Sequence, residues 1–227
     1  MKKKIQILGL EIDNYSVREA ILLAEGYLNG NSLKTIETVT MKMLTDAESN
    51  EIVGQAIQDM DLTVIGEKEI LTAANINTPQ RLKETTEHEF FYEFVKRIVR
   101  NRKRVYLISE KEEVNDILEV LLKEKYPKVV IVGSAALEEC QGDFGNIINE
   151  INGDTADVVM STISTPRQEE FLSECKSKMS AKIWYGLGNY TELNTETAVK
   201  KVFKKFFHKH TLMKKMEQYQ EKDGEQK

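Results

Sequence analysis

An α/β fold is predicted, with a mainly parallel sheet covered by helices on both faces and a basic helical appendage at the C-terminus. Three features of the sequence point there. Short apolar runs of strand length alternate with segments of helical periodicity along the chain. Several of those runs are apolar throughout, as expected of strands buried on both faces. No long linker, low-complexity tract or repeat interrupts them, so residues 1–195 read as one domain and residues 196–227 as the appendage.

The elements follow in order. Residues 5–12 (IQILGLEI) form the first apolar run and read as a strand. Ser16 and Glu19 then offer a capping box for a helix ending near Gly30. Residues 33–40 are the next strand, and Thr45 with Glu48 forms a second capping box before a helix to about Met60. A short strand over 62–65 precedes a helix over 67–74. Residues 75–85 are polar, carry Pro79 and read as a loop. Thr86 and Glu89 cap an amphipathic helix through Arg100, with His88 in its first turn. Strands over 104–109, 128–133, 156–160 and 182–187 alternate with helices over 112–125, 144–151 and 167–179. Trp184 lies in the last of these strands and reads as core.

Composition narrows the functional classes. The 227 residues are 41% hydrophobic and 30% charged, the balance of a soluble globular protein with a substantial core. A net charge of −5 gives no reason to expect a nucleic-acid partner. Cys140 and Cys175 are far apart, and the three histidines form no cluster with cysteines or carboxylates, so neither a metal nor another cofactor is expected. Residues 1–4 (MKKK) resemble the start of a signal peptide. The following apolar run is broken by Glu11 and Asp13, and no small-residue cleavage site follows. No stretch approaches the about 20 apolar residues of a membrane span. A cytoplasmic protein is expected, touching the inner face of the cell membrane at most.

The basic appendage supplies that possible contact. Phe203, Phe206 and Phe207 recur at helical spacing among Lys200, Lys201, Lys204 and Lys205. Such a helix can lie on an anionic membrane surface or hold a lipid diphosphate. It can equally pack its apolar side on the domain and leave its lysines solvated, and the pattern fits both. The final residues, 221–227, are polar and read as disordered.

Residues 160–172 (MSTISTPRQEEFL) carry the most chemistry. An apolar strand gives way to small hydroxylated residues, Pro166 and a helix beginning near Arg167. Pro166 suits the first helical position, where its missing N–H costs nothing. In an open α/β sheet, ligands bind at such strand ends, where a helix start attracts anions such as a diphosphate. Taken alone, the same residues describe a well-capped turn. No Walker loop, Gly-x-Ser-x-Gly elbow or Gly-x-Gly-x-x-Gly fingerprint is present.

Four segments in fixed order carry a wider resemblance: residues 5–14 (IQILGLEIDN) followed by Ser16-x-x-Glu19, residues 38–43 (TVTMKM), residues 166–169 (PRQE), and the basic aromatic C-terminal segment. Together they resemble the WecG/TagA/CpsF family of bacterial glycosyltransferases over about residues 5 to 219. The resemblance implies a Rossmann-like sheet and transfer of N-acetylmannosamine or a related sugar from a UDP-sugar to a polyprenyl-diphosphate-linked acceptor. It also implies substrate contacts at Thr40, Gly66, Arg81, Thr165, Arg167, Gln168, Glu169 and Gly188, and membrane or diphosphate contact through Lys200, Lys201, Lys204 and Lys205. Partners would be the UDP-sugar, the lipid acceptor and the membrane surface, with a homo-oligomer or an active paralogue left open.

Departures from the family pattern are as informative. The turn after the third strand should carry an aspartate, and here Gly66 occupies its place with Glu67 next to it. Glu67 can replace the base with a longer side chain or serve as an ordinary first-turn carboxylate. Thr40 replaces an asparagine, Ser109-Glu110 replaces paired glycines, and Thr162-Ile163-Ser164 replaces Gly-x-Gly. The late Gly-Gly-x-Phe-Asp becomes 187–191 (LGNYT), and an Arg-Val-Thr-Gly stretch survives only as Arg81. Glu67 and Glu110 are thus the candidate catalytic carboxylates. Two other readings remain: a non-catalytic relative that binds a nucleotide sugar or an active paralogue, and a different cytosolic α/β enzyme.

Overall fold

The computed structural model describes residues 3–140 and 144–188. The expected appendage over 196–227, its boundary at 195 and Lys200, Lys201, Lys204 and Lys205 lie outside the described residues.

The chain opens with an antiparallel hairpin, β1 (Lys4–Ile7) and β2 (Leu10–Asp13), where a single strand over 5–12 was expected. Leu8 and Gly9 both take positive φ, +48° and +78°, as a two-residue type I′ loop requires. Gly9 was the only turn signal in the sequence, and a leucine beside it conceals the loop. The main sheet has six strands: β3 (Lys34–Val39), β4 (Leu62–Ile65), β5 (Arg104–Ser109), β6 (Val130–Ala136), β7 (Val158–Ser161) and β8 (Ile183–Gly186). Their order is β4-β3-β8-β7-β5-β6, and every pairing is parallel. All six carboxyl ends therefore share one edge, and crossover helices return the chain each time.

Those helices cover both faces. α1 (Val17–Leu28), α6 (Glu89–Arg100) and α7 (Glu112–Lys125) bury Ile21, Phe94 and Leu118 against Leu107, Met160 and Ile183. On the opposite face α8 (Gly145–Gly153) and α9 (Arg167–Cys175) bury Ile148 and Phe171 against Val159 and Trp184. Trp184 is a core residue, stacked on Phe171 with ring centroids 5.4 Å apart. A third cluster, containing Ile12, Leu44, Val53 and Ile70, packs the hairpin with α2 (Met41–Ser49), α3 (Glu51–Gln58) and α4 (Lys68–Ala73). Each fully buried large side chain contributes about 1.5–3 kcal/mol, so these clusters dominate the stability of the sheet.

Local signals fix many helix starts. Ser16 and Glu19 form the expected reciprocal capping box on α1. The box expected at Thr45 does not form. Thr45 lies inside α2 and donates back to the Met41 carbonyl at 2.9 Å. Thr40 caps α2 instead, and Asn50 breaks the long helix in two by accepting from the Ile52 and Val53 N–H groups. The expected loop over 75–85 contains helix α5 (Pro79–Thr86), which Pro79 starts rather than prevents, because it sits in the first turn. His88 is the N-cap of α6 in a left-handed conformation, φ +49°, not a first-turn residue. Pro166 likewise precedes α9 as its N-cap.

Candidate functional site

Strand β3 lies second from one side of the sheet, between β4 and β8, and its side chains alternate between faces. Thr38 turns toward the face of α1 and α6, where its hydroxyl donates to Tyr185 Oη at 3.1 Å. Burial holds the Tyr185 phenol above its ordinary range. Glu37 turns the other way, toward α9, and is entirely buried. Gly186 is its register partner on β8, and a Cβ there would collide with the Glu37 carboxyl, so the glycine makes room for the acid. Gln168 Nε2 donates to Glu37 Oε2 at 2.8 Å, while Oε1 has no hydrogen-bond partner among the described residues. Burial pushes the Glu37 carboxyl well above the usual carboxylate range, Glu169 pushes in the same direction, and the Gln168 hydrogen bond opposes them.

A cavity of about 290 Å³ opens beside this acid, and Glu37, Thr40, Lys42, Glu67, Thr162, Thr165, Gln168 and Gly188 are among its lining residues. That volume is close to the lower end of small-molecule pockets, about 300 Å³. Thr40 and Glu67 both serve the start of α2: Thr40 Oγ1 accepts from Met43 N–H and Glu67 Oε2 from Met41 N–H, each at 3.2 Å. Thr165 donates to Glu169 Oε1 at 3.1 Å. Gly188 has φ +60°, and a Cβ on it would strike the Thr38 carbonyl. Only glycine fits this close approach without strain.

A second cleft lies on the other side of Thr40 and includes Gly66, Arg81 and Glu84. Arg81 Nη1 donates to Glu84 Oε2 at 2.6 Å and Nη2 to Asn14 Oδ1 at 3.4 Å. Glu84 also accepts from Val17 N–H and from Gln80 Nε2. The cleft volume is about 40 Å³, room for a few waters. A Cβ at Gly66 would lie 2.8 Å from Thr38 Cγ2 and 3.0 Å from the Val39 carbonyl oxygen. The position where the resemblance calls for an aspartate therefore has no space for a side chain.

The remaining candidates do not join the cavity. Arg167 turns its guanidinium to the Leu137 carbonyl, 3.2 Å away. Glu110 bridges the ends of β5 and β7 by accepting from the Ser164 N–H, at 3.3 Å, and from its hydroxyl. Glu169 is buried, which pushes its carboxyl upward, and it borders a groove between α3 and α9. The start of α9 is not an open anion site in this arrangement. Its Gln168 and Glu170 N–H groups already reach Ser164 and Pro166 carbonyls, and Glu169 and Glu170 place carboxyls at the positive end of the dipole. Glu37 is the site residue that sequence reasoning missed. Its signal was an acidic residue in the middle of a mostly buried strand. Among the described residues no group of three or more histidines, cysteines and carboxylates could hold a metal ion, and no helix is long and apolar enough to cross a membrane.

Comparison with known proteins fits this architecture. The family model described as glycosyl transferase WecG/TagA/CpsF matches residues 5–200. The N-acetylglucosaminyldiphosphoundecaprenol N-acetyl-beta-D-mannosaminyltransferase of Staphylococcus aureus (strain MRSA252) is 19% identical over 197 residues, covering 84% of this chain and 75% of the relative. A match over most of the chain, on a parallel sheet with its polar residues gathered at one edge, identifies the protein as a member of the WecG/TagA/CpsF family of glycosyl transferases.

Proposed function

We propose that the protein transfers an N-acetylhexosamine from a UDP-sugar to a polyprenyl-diphosphate-linked acceptor, in cell-envelope polysaccharide or teichoic acid synthesis. The observation that carries this reading is the cavity at the carboxyl edge, where Thr40, Glu67, Thr165, Gln168 and Gly188 meet although 148 positions separate the first from the last. Ligand sites of open α/β sheets lie at such edges. The name of the staphylococcal relative supports the sugar and acceptor classes.

In the reaction an acceptor hydroxyl oxygen attacks the anomeric carbon of the donor. The bond from that carbon to the UDP diphosphate breaks, UDP leaves, and the hydroxyl proton passes to a carboxylate. Glu67 is the proposed base, because it borders the cavity and stands beside the position of the missing aspartate. Glu110 is the second choice. Lys200, Lys201, Lys204 and Lys205 would hold the lipid diphosphate or the inner membrane face. A non-catalytic, nucleotide-sugar-binding role is the second reading. It is favoured by the packing that excludes a side chain at Gly66 and by the engagement of Glu67 with the Met41 N–H.

Kinetics and thermal shift together decide between the two. UDP at 100 times its dissociation constant should stabilise the fold by about 2.7 kcal/mol. Glu67→Gln should leave that shift in place and lower sugar transfer roughly a hundredfold or more. Transfer that neither Glu67→Gln nor Glu110→Gln slows would remove both residues from the chemistry. A wild-type protein that binds UDP and transfers nothing would make the non-catalytic reading the correct one.

A further inference from the structure

The groove between α3 and α9 has a volume of about 450 Å³, larger than the cavity at the carboxyl edge. Ile52 and Ala56 of α3, Met60 just beyond it and Leu172 of α9 supply its apolar lining. Ile52 is 55% exposed, so it adds little to the core of the domain. Polar groups in the lining are engaged with one another. Gln55 Nε2 donates to Asp59 Oδ1 at 2.9 Å, and Lys176 Nζ to Thr35 Oγ1 at 3.5 Å. Apolar surface is therefore what the groove offers a partner. Its surroundings are acidic: Glu51 and Asp59 in the lining are exposed, as are Glu170 and Glu174 on α9, against one lining cation, Lys176. An apolar groove between two helices suits the apolar face of a third.

We infer that this groove receives the apolar side of the chain's own C-terminal segment, residues 199–207, which lie outside the described residues. Val199, Val202, Phe203 and Phe206 have the i, i+3, i+4, i+7 spacing of helix-in-groove anchors. On a helix, Lys200, Lys201, Lys204 and Lys205 would occupy the opposite side. Their charge complements the acids around the groove, and they stay available to an anionic surface. The contact does not depend on sugar transfer. A second copy docking by the same face would set acids against acids, which is unfavourable. Reach is sufficient as well. The described residues end at Gly188, four positions after Trp184, the register partner of Thr35 in the groove. That is about 13 Å of extended chain at about 3.3 Å per residue, and a helix layer adds about 10 Å. Residues 189–198 can span up to about 33 Å.

The test replaces Phe206 of the full chain by the photo-crosslinker benzoylphenylalanine and maps its adducts by mass spectrometry. It is run with and without vesicles of phosphatidylcholine and phosphatidylglycerol. Adducts on residues 51–60 and 167–176 of the same chain are expected in both conditions. Mixing isotope-labelled with unlabelled chains separates that result from capture by a second copy, which would overturn the intramolecular contact. Adducts on other elements, on lipid in place of α3 and α9, or none at all would overturn it too. The groove supplies a second arm. Ile52→Glu changes an exposed side chain, so the domain should still fold, yet the adducts on α3 and α9 should disappear. Ile52→Glu and Phe206→Glu should each lower the melting temperature by about 2–4 °C, and together by no more than either alone. Additive shifts, or none, would show that the two side chains do not meet and would refute the docking.

Discussion

On one side of Thr40, Arg81 and Glu84 bury opposite charges in direct contact, and Asn14, Val17 and Gln80 take up further hydrogen-bonding capacity. On the other side, Glu37 buries a carboxyl against the neutral amide of Gln168 and leaves an oxygen unmet among the described residues. The first arrangement holds α5 to the start of α1, and its narrow cleft has little room for more. The second sits under a cavity about seven times larger in volume, from 290 and 40 Å³. Buried polar groups in one small domain can thus serve unlike ends. Both networks keep one unmet atom among the described residues, Arg81 Nε and Glu37 Oε1, but in the first a counter-charge compensates the buried ion and in the second burial favours the neutral acid.

The largest expected effect breaks the charge-paired side. Arg81→Ala leaves Glu84 buried without its counter-charge and should cost about 3–5 kcal/mol in urea denaturation, whereas Arg81→Met with Glu84→Leu should recover most of that loss. A cost below 1 kcal/mol for the single variant would mean that Arg81 is not structurally committed and is open to substrate.

Next comes the pH dependence of the Glu37 side. The unfolded chain releases the Glu37 proton near the ordinary glutamate range, while the folded chain retains it to higher pH. The native state therefore binds more protons between those limits. Stability from this source is complete below the ordinary range and is lost as pH rises toward the raised value, by up to about 1.4 kcal/mol per pH unit. Glu169 and Gln168 face the acid from α9, Lys42 of α2 borders the same cavity, and Lys176 reaches Thr35 two residues away on the same strand face. Glu169 is also raised by burial, so the measurement that isolates Glu37 is the difference between wild type and Glu37→Gln across that window. A difference that does not change with pH would show Glu37 to be ionised in the fold.

The smallest effect sharpens the boundary between the two sides. Thr40→Ala removes the N-cap of α2 and should cost about 1 kcal/mol, with Thr40→Ser close to wild type. Thermal melts check this directly. A loss of UDP binding beyond what the melt explains would add a ligand contact to the capping role.

Much of the fold was legible because its signals are local. Residues 112–125 form a helix over the expected span, and residues 104–109 a strand, since periodicity and apolar runs depend only on neighbours in sequence. The failures were local too, where two signals competed. Pro79 read as a breaker but opens α5, and Leu8 masked a turn that Gly9 alone could not announce. At the site, the expected edge residues Thr40, Thr165, Gln168 and Gly188 border one cavity, while Arg81, Gly66, Arg167 and Glu110 face elsewhere.

By itself the sequence determined the alternation of strands and helices, the capping box of Ser16 and Glu19, and the order of segments that places the chain in its family. These depend on hydrogen bonds and periodicities spanning a few residues. Only the tertiary structure decided that Glu37 would meet Gln168, 131 residues away, and that Gly186 would leave space for the carboxyl. Parallel register sets both, by bringing β3 beside β8 and α9 over them. A carboxyl in a strand can face solvent or the core, and its protonation follows from which. That choice is made by packing across the sheet, through contacts that no neighbouring residue encodes.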